Sequence, residues 1–135
     1  MDTRSTFQTS LIELEQIDSL LEAAGVDGVR DILAAFWRST DDLSAELVRC
    51  IDKGECVPAG RTAHAIKGSA ANVGAHQLAI SAREVEGYAR IGDLSAARSA
   101  IERLMTIYRQ TRAELDCYVA SRPSRIKSSD HQGRD

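Results

Sequence analysis

The 135-residue sequence has few aromatics (two Phe, one Trp, three Tyr), only two prolines and three cysteines, and no long hydrophobic run. Each shortage excludes something. The longest uninterrupted apolar stretch, Ile32 to Trp37, falls far short of the ~18–20 residues of a membrane span, and no apolar segment follows the N-terminus as in a secretory signal. The expectation is a soluble cytoplasmic protein with no membrane partner. Cys50, Cys56 and Cys117 are odd in number and form no C-x-x-C pair, which argues against a disulfide framework and a zinc knuckle and for a reducing compartment. Charge of one sign is also missing: 17 basic residues stand against 20 acidic ones, a net −3. Residues 121–135 carry four bases and two acids, a local +2, which leaves −5 for residues 1–120. So acidic a body is a poor match for nucleic acid.

What the sequence does have is alanine, 19 of them, and apolar residues at helical spacing. Ser10-Leu11-Ile12-Glu13 fits a capping box, opening a short helix from about Leu11 to Ala24, with a break near Asp18 and an end at Gly25. A long helix follows from about Asp27 to Lys53, with Val29, Ile32, Phe36, Leu43, Leu47 and Ile51 on one stripe and Gly54 as terminator. Phe36 and Trp37 are adjacent and cannot share one phase; Phe36 fits the stripe, and Trp37 is expected to pack in the core, under the first helix, the alternative being a place on a partner surface. Pro58 suits the first turn of a helix over about 58–73, with Ala59, Ala63, Ile66, Ala70 and Val73 inward. A helix from about Ala75 to Ile91 turns Leu78, Ala82, Val85 and Ala89 inward. Gly92-Asp93 then stops it and caps a last helix, Leu94 to about Ala120, with Leu94, Ala97, Ile101, Leu104, Tyr108, Leu115 and Val119 inward.

Short connections between long amphipathic helices make neighbours antiparallel. The expected fold is all-α: an up-down antiparallel four-helix bundle with an additional short N-terminal helix as a lid. Residues 1–9 read as a flexible N-terminus, 10–120 as the domain, and 121–135, where only Ile126 is apolar beyond Pro123, as a disordered tail.

At about 100° per residue, His64 falls about 140° from the inner stripe of its helix and faces solvent. Its outward neighbours Ala65, Gly68 and Ala71 are small, and a glycine in mid-helix costs about 1 kcal/mol relative to alanine. A bare surface around an imidazole suits close approach by another body. Taken alone, such a histidine is an ordinary surface residue. If the next helix folds back about Gly74, however, Glu86 on its flank comes within reach of the ring. A carboxylate accepting the Nδ1 proton fixes the tautomer and aims an unprotonated Nε2 outward, which prepares a nucleophile. The alternative for Glu86 is a surface ion pair with Arg83 or Arg90. Lys67, beside His64, stands where it can stabilise negative charge arriving on the ring. His76 reads as a surface residue, and a metal site from His64, His76 and Glu86 has no recognisable ligand spacing.

The run Ala63 to Ala75 resembles the phosphoacceptor motif of histidine-containing phosphotransfer (HPt) domains, His-x-x-Lys-Gly-Ser-x-x-Asn-x-Gly, through His64, Lys67, Gly68, Ser69, Asn72 and Gly74. The likeness extends over roughly residues 15–120. It implies a phosphorelay role: His64 takes a phosphoryl group on Nε2 from a receiver-domain aspartate and passes it to another receiver. Lys67 would screen the phosphoryl group, Gly68 would admit the receiver, and Ser69 and Asn72 would support helix geometry. Arg90 matches a basic rim position. The position of Glu86 usually holds glutamine or another polar residue that orients the imidazole; here it is an acid, which puts a second negative group near a phosphohistidine.

Docking is expected through Arg61, Ala65, Gly68, Ala71, Ile80 and Arg83. The resemblance further implies response-regulator receivers and a hybrid histidine kinase as partners. It implies a phosphocarrier with no kinase activity and no cofactor of its own, Mg²⁺ being supplied by the receiver. A monomer is the expected state. The competing reading is a helical adaptor that keeps the fold and binds signalling proteins without phosphorylation.

Overall fold

The computed structural model describes residues 11–122. The flexible segment expected at 1–9, Ser10 of the capping box, and the tail beyond Arg122 lie outside the described residues. Four helices follow one another: α1 (Leu14–Asp52), α2 (Cys56–Asn72), α3 (His76–Arg90) and α4 (Leu94–Ala120). They form the expected up-down antiparallel bundle, and there is no strand among the described residues. None of these helices is long and apolar enough to cross a membrane.

The expected short first helix is the N-terminal arm of α1, residues 14–24. It runs unbroken past Asp18 and is set off by a kink at Gly25, whose φ of 75° and ψ of 172° leave the helical region. The helix starts later than the capping box implies. Glu13 occupies the N-cap with no side-chain bond, and its amide instead donates to the carbonyl of Gly74 at 2.8 Å. The Gln77 amide donates to Leu11 O at 3.2 Å, and Gln16 Nε2 to Asn72 O at 3.1 Å. These bonds strap the arm across the α2–α3 turn, the lid position expected for it. Its other side is tied to the end of α4, where the Tyr118 hydroxyl donates to Asp18 at 2.7 Å and Arg122 pairs with the same carboxylate at 3.1 Å.

The inner stripes of α2, α3 and α4 are buried as their spacing implies, with Leu94 half-buried at the start of α4. The stripe on α1 needs correction. Ile32 is 37% exposed, and Leu33, one residue on, is buried in its place. From Leu33 the buried line continues through Phe36, Thr40, Ser44, Leu47 and Ile51, so two inward positions are polar and break the apolar pattern. Phe36 and Trp37 are both buried, because α1 packs on α2 to one side and on α4 to the other and so presents a wide inner arc. The Trp37 ring lies 5.0 Å from Phe36 and 5.9 Å from Tyr108, against α4. Tyr108 donates to Asp41 at 2.7 Å, tying α4 to α1, and burial with that carboxylate pushes its phenol pKa well up.

The turns follow local chemistry. Asp93 caps α4 by accepting the Ala96 amide at 3.0 Å. Gly74 sits at φ 78°, and a Cβ there would lie 3.2 Å from Gln16 Cβ, from Gln16 Cγ and from Glu13 O. Gly25 has a similar φ of 75°, but a Cβ there would meet nothing within 4 Å. Gly74→Ala is therefore expected to lower unfolding free energy by about 2–3 kcal/mol, combining positive-φ strain with displacement of the arm, and Gly25→Ala, at a φ and ψ that essentially only glycine adopts, by about 1–3 kcal/mol from backbone strain alone. Urea denaturation of both variants checks these losses.

Candidate functional site

The α2–α3 interface is built from small side chains. Ala59, Ala63 and Ala70 on α2 and Ala82 and Ala89 on α3 are essentially fully buried, as are Ile66, Leu78 and Val85 between them. Gly60 is also buried, and a Cβ there would just touch that of Ala89 at 3.9 Å. These helices make the most extensive contact in the bundle. Small residues let helix axes approach closely, so a side chain on the flank of one reaches the other.

Glu86 is that side chain. It follows Val85 at the edge of the interface and is buried, with only 7% of its side chain exposed. Three cationic or proton-donating groups converge on its carboxylate. His64 Nδ1 lies 3.1 Å from Oε2, Lys67 Nζ 3.4 Å from Oε1, and Arg90 Nη2 2.8 Å from Oε2. Arg90 is four residues further along α3, the favourable order for an acid followed by a base. Burial pushes the Glu86 carboxyl pKa up, but the Lys67 ammonium and the His64 ring outweigh it and hold it below its ordinary value. Glu86 is thus ionised at neutral pH and can only accept hydrogen bonds. Nδ1 of His64 must carry the proton, which leaves the lone pair of the neutral ring on Nε2.

His64 itself is 62% exposed, so Nε2 is open to solvent or to a partner. Ala65, Gly68 and Ala71 are exposed beside it. A Cβ on Gly68 would meet no atom within 4 Å, so nothing inside the domain requires glycine there. Ser69 is half-buried and Asn72 exposed, with the Asn72 carbonyl taken by Gln16. Ile80 (41% exposed) and Arg83 lie on the outer face of α3, and His76 is exposed at its start. The site thus brings together His64, Lys67, Glu86 and Arg90. The two readings of Glu86, imidazole partner and ion pair with Arg90, coexist in one carboxylate, while Arg83 is not in the cluster. Among the described residues no group of His, Cys, Asp and Glu is arranged to hold a metal ion.

A groove of about 640 Å³ runs from His64 and Glu86 between α2 and α3 toward the α3–α4 turn. Arg61 and Arg90 line it, with Val57, Gly60, Ile91 and Gly92 further along. Of the residues expected to dock a partner, only Arg61 belongs to the groove; Ala65, Gly68, Ala71, Ile80 and Arg83 lie outside it. Sequence reasoning missed its apolar lips, Val57 (65% exposed) and Ile91 (74% exposed). Both fall off the inner stripes, at the beginning and end of helices, and an isolated apolar residue at such a position carries little signal.

The Hpt domain family model matches residues 31–116. The chain belongs to the Hpt domain family. This family's model covers most of the long arm of α1, all of α2 and α3 and most of α4, and so includes every member of the Glu86 cluster. No curated protein matches the sequence at a significant level. Several solved structures share the fold, three of which follow. Histidine-containing phosphotransfer protein B from Pseudomonas aeruginosa PAO1 is 23% identical with a TM-score of 0.77, over 85% of this chain and 99% of that one. ZmHP2 from maize is 21% identical with a TM-score of 0.73, over 84% and 86%. MtHPt2 from Medicago truncatula is 17% identical with a TM-score of 0.72, over 89% and 90%.

Because folding lowers the Glu86 pKa, the folded state favours the ionised form. That contribution to stability is complete above the ordinary value of 4.5 and is lost as the pH falls through the lower folded value. Glu86→Gln is expected to cost about 1–2 kcal/mol at neutral pH, since the cations that lose their partner keep access to water. The deficit should shrink as the pH falls below the ordinary carboxylate value and through the lower folded one, where the wild-type carboxyl becomes protonated too. Denaturant unfolding across an acid pH series measures it.

Proposed function

We propose that this chain is a histidine phosphotransfer protein in which His64 accepts a phosphoryl group on Nε2 from the aspartyl phosphate of a receiver domain and passes it to the aspartate of another. The observation that carries the reading is the Glu86–His64 contact, 3.1 Å at Nδ1, in a ring whose other nitrogen is exposed. The carboxylate, not the solvent, decides which nitrogen holds the proton, and the free lone pair faces outward for in-line attack. An acyl phosphate and a phosphoimidazole are both high-energy donors, so transfer is nearly balanced and depends on positioning and charge. Lys67, Arg61 and Arg90 supply positive charge against one buried acid, which leaves the mouth of the site net positive for an arriving phosphoryl group.

The receiver brings the aspartate and Mg²⁺; the chain has no cofactor of its own and does not phosphorylate itself. Ser69 and Asn72 act on the geometry of α2 and not on the phosphoryl group. Its partners are receiver domains and the hybrid histidine kinase that loads them. Docking uses two surfaces flanking His64: the low surface of Ala65, Gly68 and Ala71 with Ile80 and Arg83, and the groove edged by Val57 and Ile91. The four helices bury one common core, which supports a monomer, and three free cysteines support a cytoplasmic setting.

Incubation with a phosphorylated receiver tests the central step. Label is expected on the wild type and none on His64→Gln; a wild type that takes no label would make the chain an adaptor, and equal labelling of both would move the acceptor elsewhere. The docking surface has its own test. Gly68→Gln should stabilise α2 by about 0.5–1 kcal/mol, because glycine is a poor helix former and its site is open, yet slow transfer by crowding the partner. Ile80→Asp should likewise slow transfer while leaving the unfolding midpoint nearly unchanged. Transfer kinetics beside thermal unfolding resolve both.

A further inference from the structure

We propose that Glu86 retains the Nδ1 proton of His64 through the phosphorylated state and so sets how readily the ring gives up its phosphoryl group. This rests on His64 being the phosphoacceptor. In the resting ring the proton sits on Nδ1, 3.1 Å from a carboxylate oxygen. When Nε2 attacks phosphorus, the Nε2–P bond forms as the acyl O–P bond breaks, and the receiver carboxylate leaves with the electron pair. The ring keeps its Nδ1 proton and becomes a phosphoimidazolium cation. In the second transfer a receiver carboxylate attacks phosphorus, the Nε2–P bond breaks, and its electrons return to Nε2, restoring the starting tautomer. No proton enters or leaves in either direction.

The cycle fails only if Nδ1 loses its proton to water between the two steps. The departing group would then be an imidazolate, a far poorer leaving group, and the phosphoryl group would stay on the ring until the proton returned. A full negative charge beside Nδ1 opposes that loss; a neutral amide at the same place would orient the ring without opposing it. The other charged groups facing the ring and its carboxylate are Lys67 and Arg61 from α2 and Arg90 from α3, with Cys56 the remaining titratable group lining the groove. Lys67 binds the second carboxylate oxygen and Arg90 the same oxygen as His64, so the acid stays ionised despite its burial. Glu86 is in this sense a positioning residue whose charge, beyond its shape, matters.

The test loads the protein with phosphoramidate, a small phosphodonor that needs no receiver. NMR then follows the pH at which the phosphorylated ring loses its Nδ1 proton, alongside the pH dependence of phosphohistidine lifetime and of transfer to a receiver. Glu86→Gln is expected to take the label but to lose the ring proton about one pH unit lower or more, with phosphohistidine lasting about tenfold longer on the alkaline side of that midpoint. Glu86→Asp, which keeps the charge on a shorter arm, should fall between wild type and Gln and remains informative if Gln compromises folding. Identical midpoints and lifetimes in wild type and Gln, or an Asp variant indistinguishable from Gln, would overturn the inference while leaving the phosphoacceptor role intact. Failure of wild type to take label on His64 from either phosphoramidate or a phosphorylated receiver would overturn both.

Discussion

The close approach of α2 and α3 through alanines is the constraint on which the site depends. Were those positions leucines, the axes would stand further apart, and a glutamate on the edge of α3 would not reach an imidazole on the outer face of α2. Alanine contacts bury little apolar area, so this half of the domain contributes modestly to the hydrophobic driving force. Larger side chains elsewhere make up the difference: Ile17, Leu47 and Ile51 on α1 and Leu104 and Leu115 on α4 are essentially fully buried. The alanines set the spacing of α2 and α3 that shapes the site, and larger buried side chains on all four helices, Ile66, Leu78 and Val85 among them, hold the fold.

Placing an ionised carboxylate at that seam is costly in isolation, since a buried anion loses its hydration. The arrangement reduces the cost by keeping the anion inside and the partners half out. His64 and Arg90 are largely exposed and Lys67 partly so, and each keeps water on its far side while binding the acid. An apolar residue of similar volume would serve packing as well or better. The cluster makes more sense as an electrostatic template than as a source of stability: it fixes the proton on one nitrogen of a ring and surrounds the other with positive charge.

Much of this was legible in the sequence, and the exceptions have physical causes. The stripes of α2, α3 and α4 were readable because their inward positions are uniformly apolar, and the glycine and aspartate signals at residues 54, 74 and 92–93 mark turns that the structure contains. The stripe of α1 was misread at Ile32 because its buried line passes through Thr40 and Ser44, which no apolar periodicity reveals. Helix phase alone left Glu86 with two separate fates, ring partner or ion pair; only the interaxial distance, a tertiary quantity, brings His64, Lys67 and Arg90 to one carboxylate. The groove was invisible for a related reason. Its lips, Val57 and Ile91, are far apart in the chain and meet across a cleft that exists only once α2 and α3 have packed.

The strap between the N-terminal arm and the α2–α3 turn also fixes the pole at which the described residues start. Asp18 touches Tyr118 and Arg122, so the described chain begins and finishes at the same pole. The groove opens toward the other pole, where α1 hands over to α2 and α3 to α4. The arm and the cleft therefore load opposite ends of the same pair of helices: the α2–α3 turn is braced by the arm, while the far end of the seam stays open as a cleft, so bracing and access do not compete.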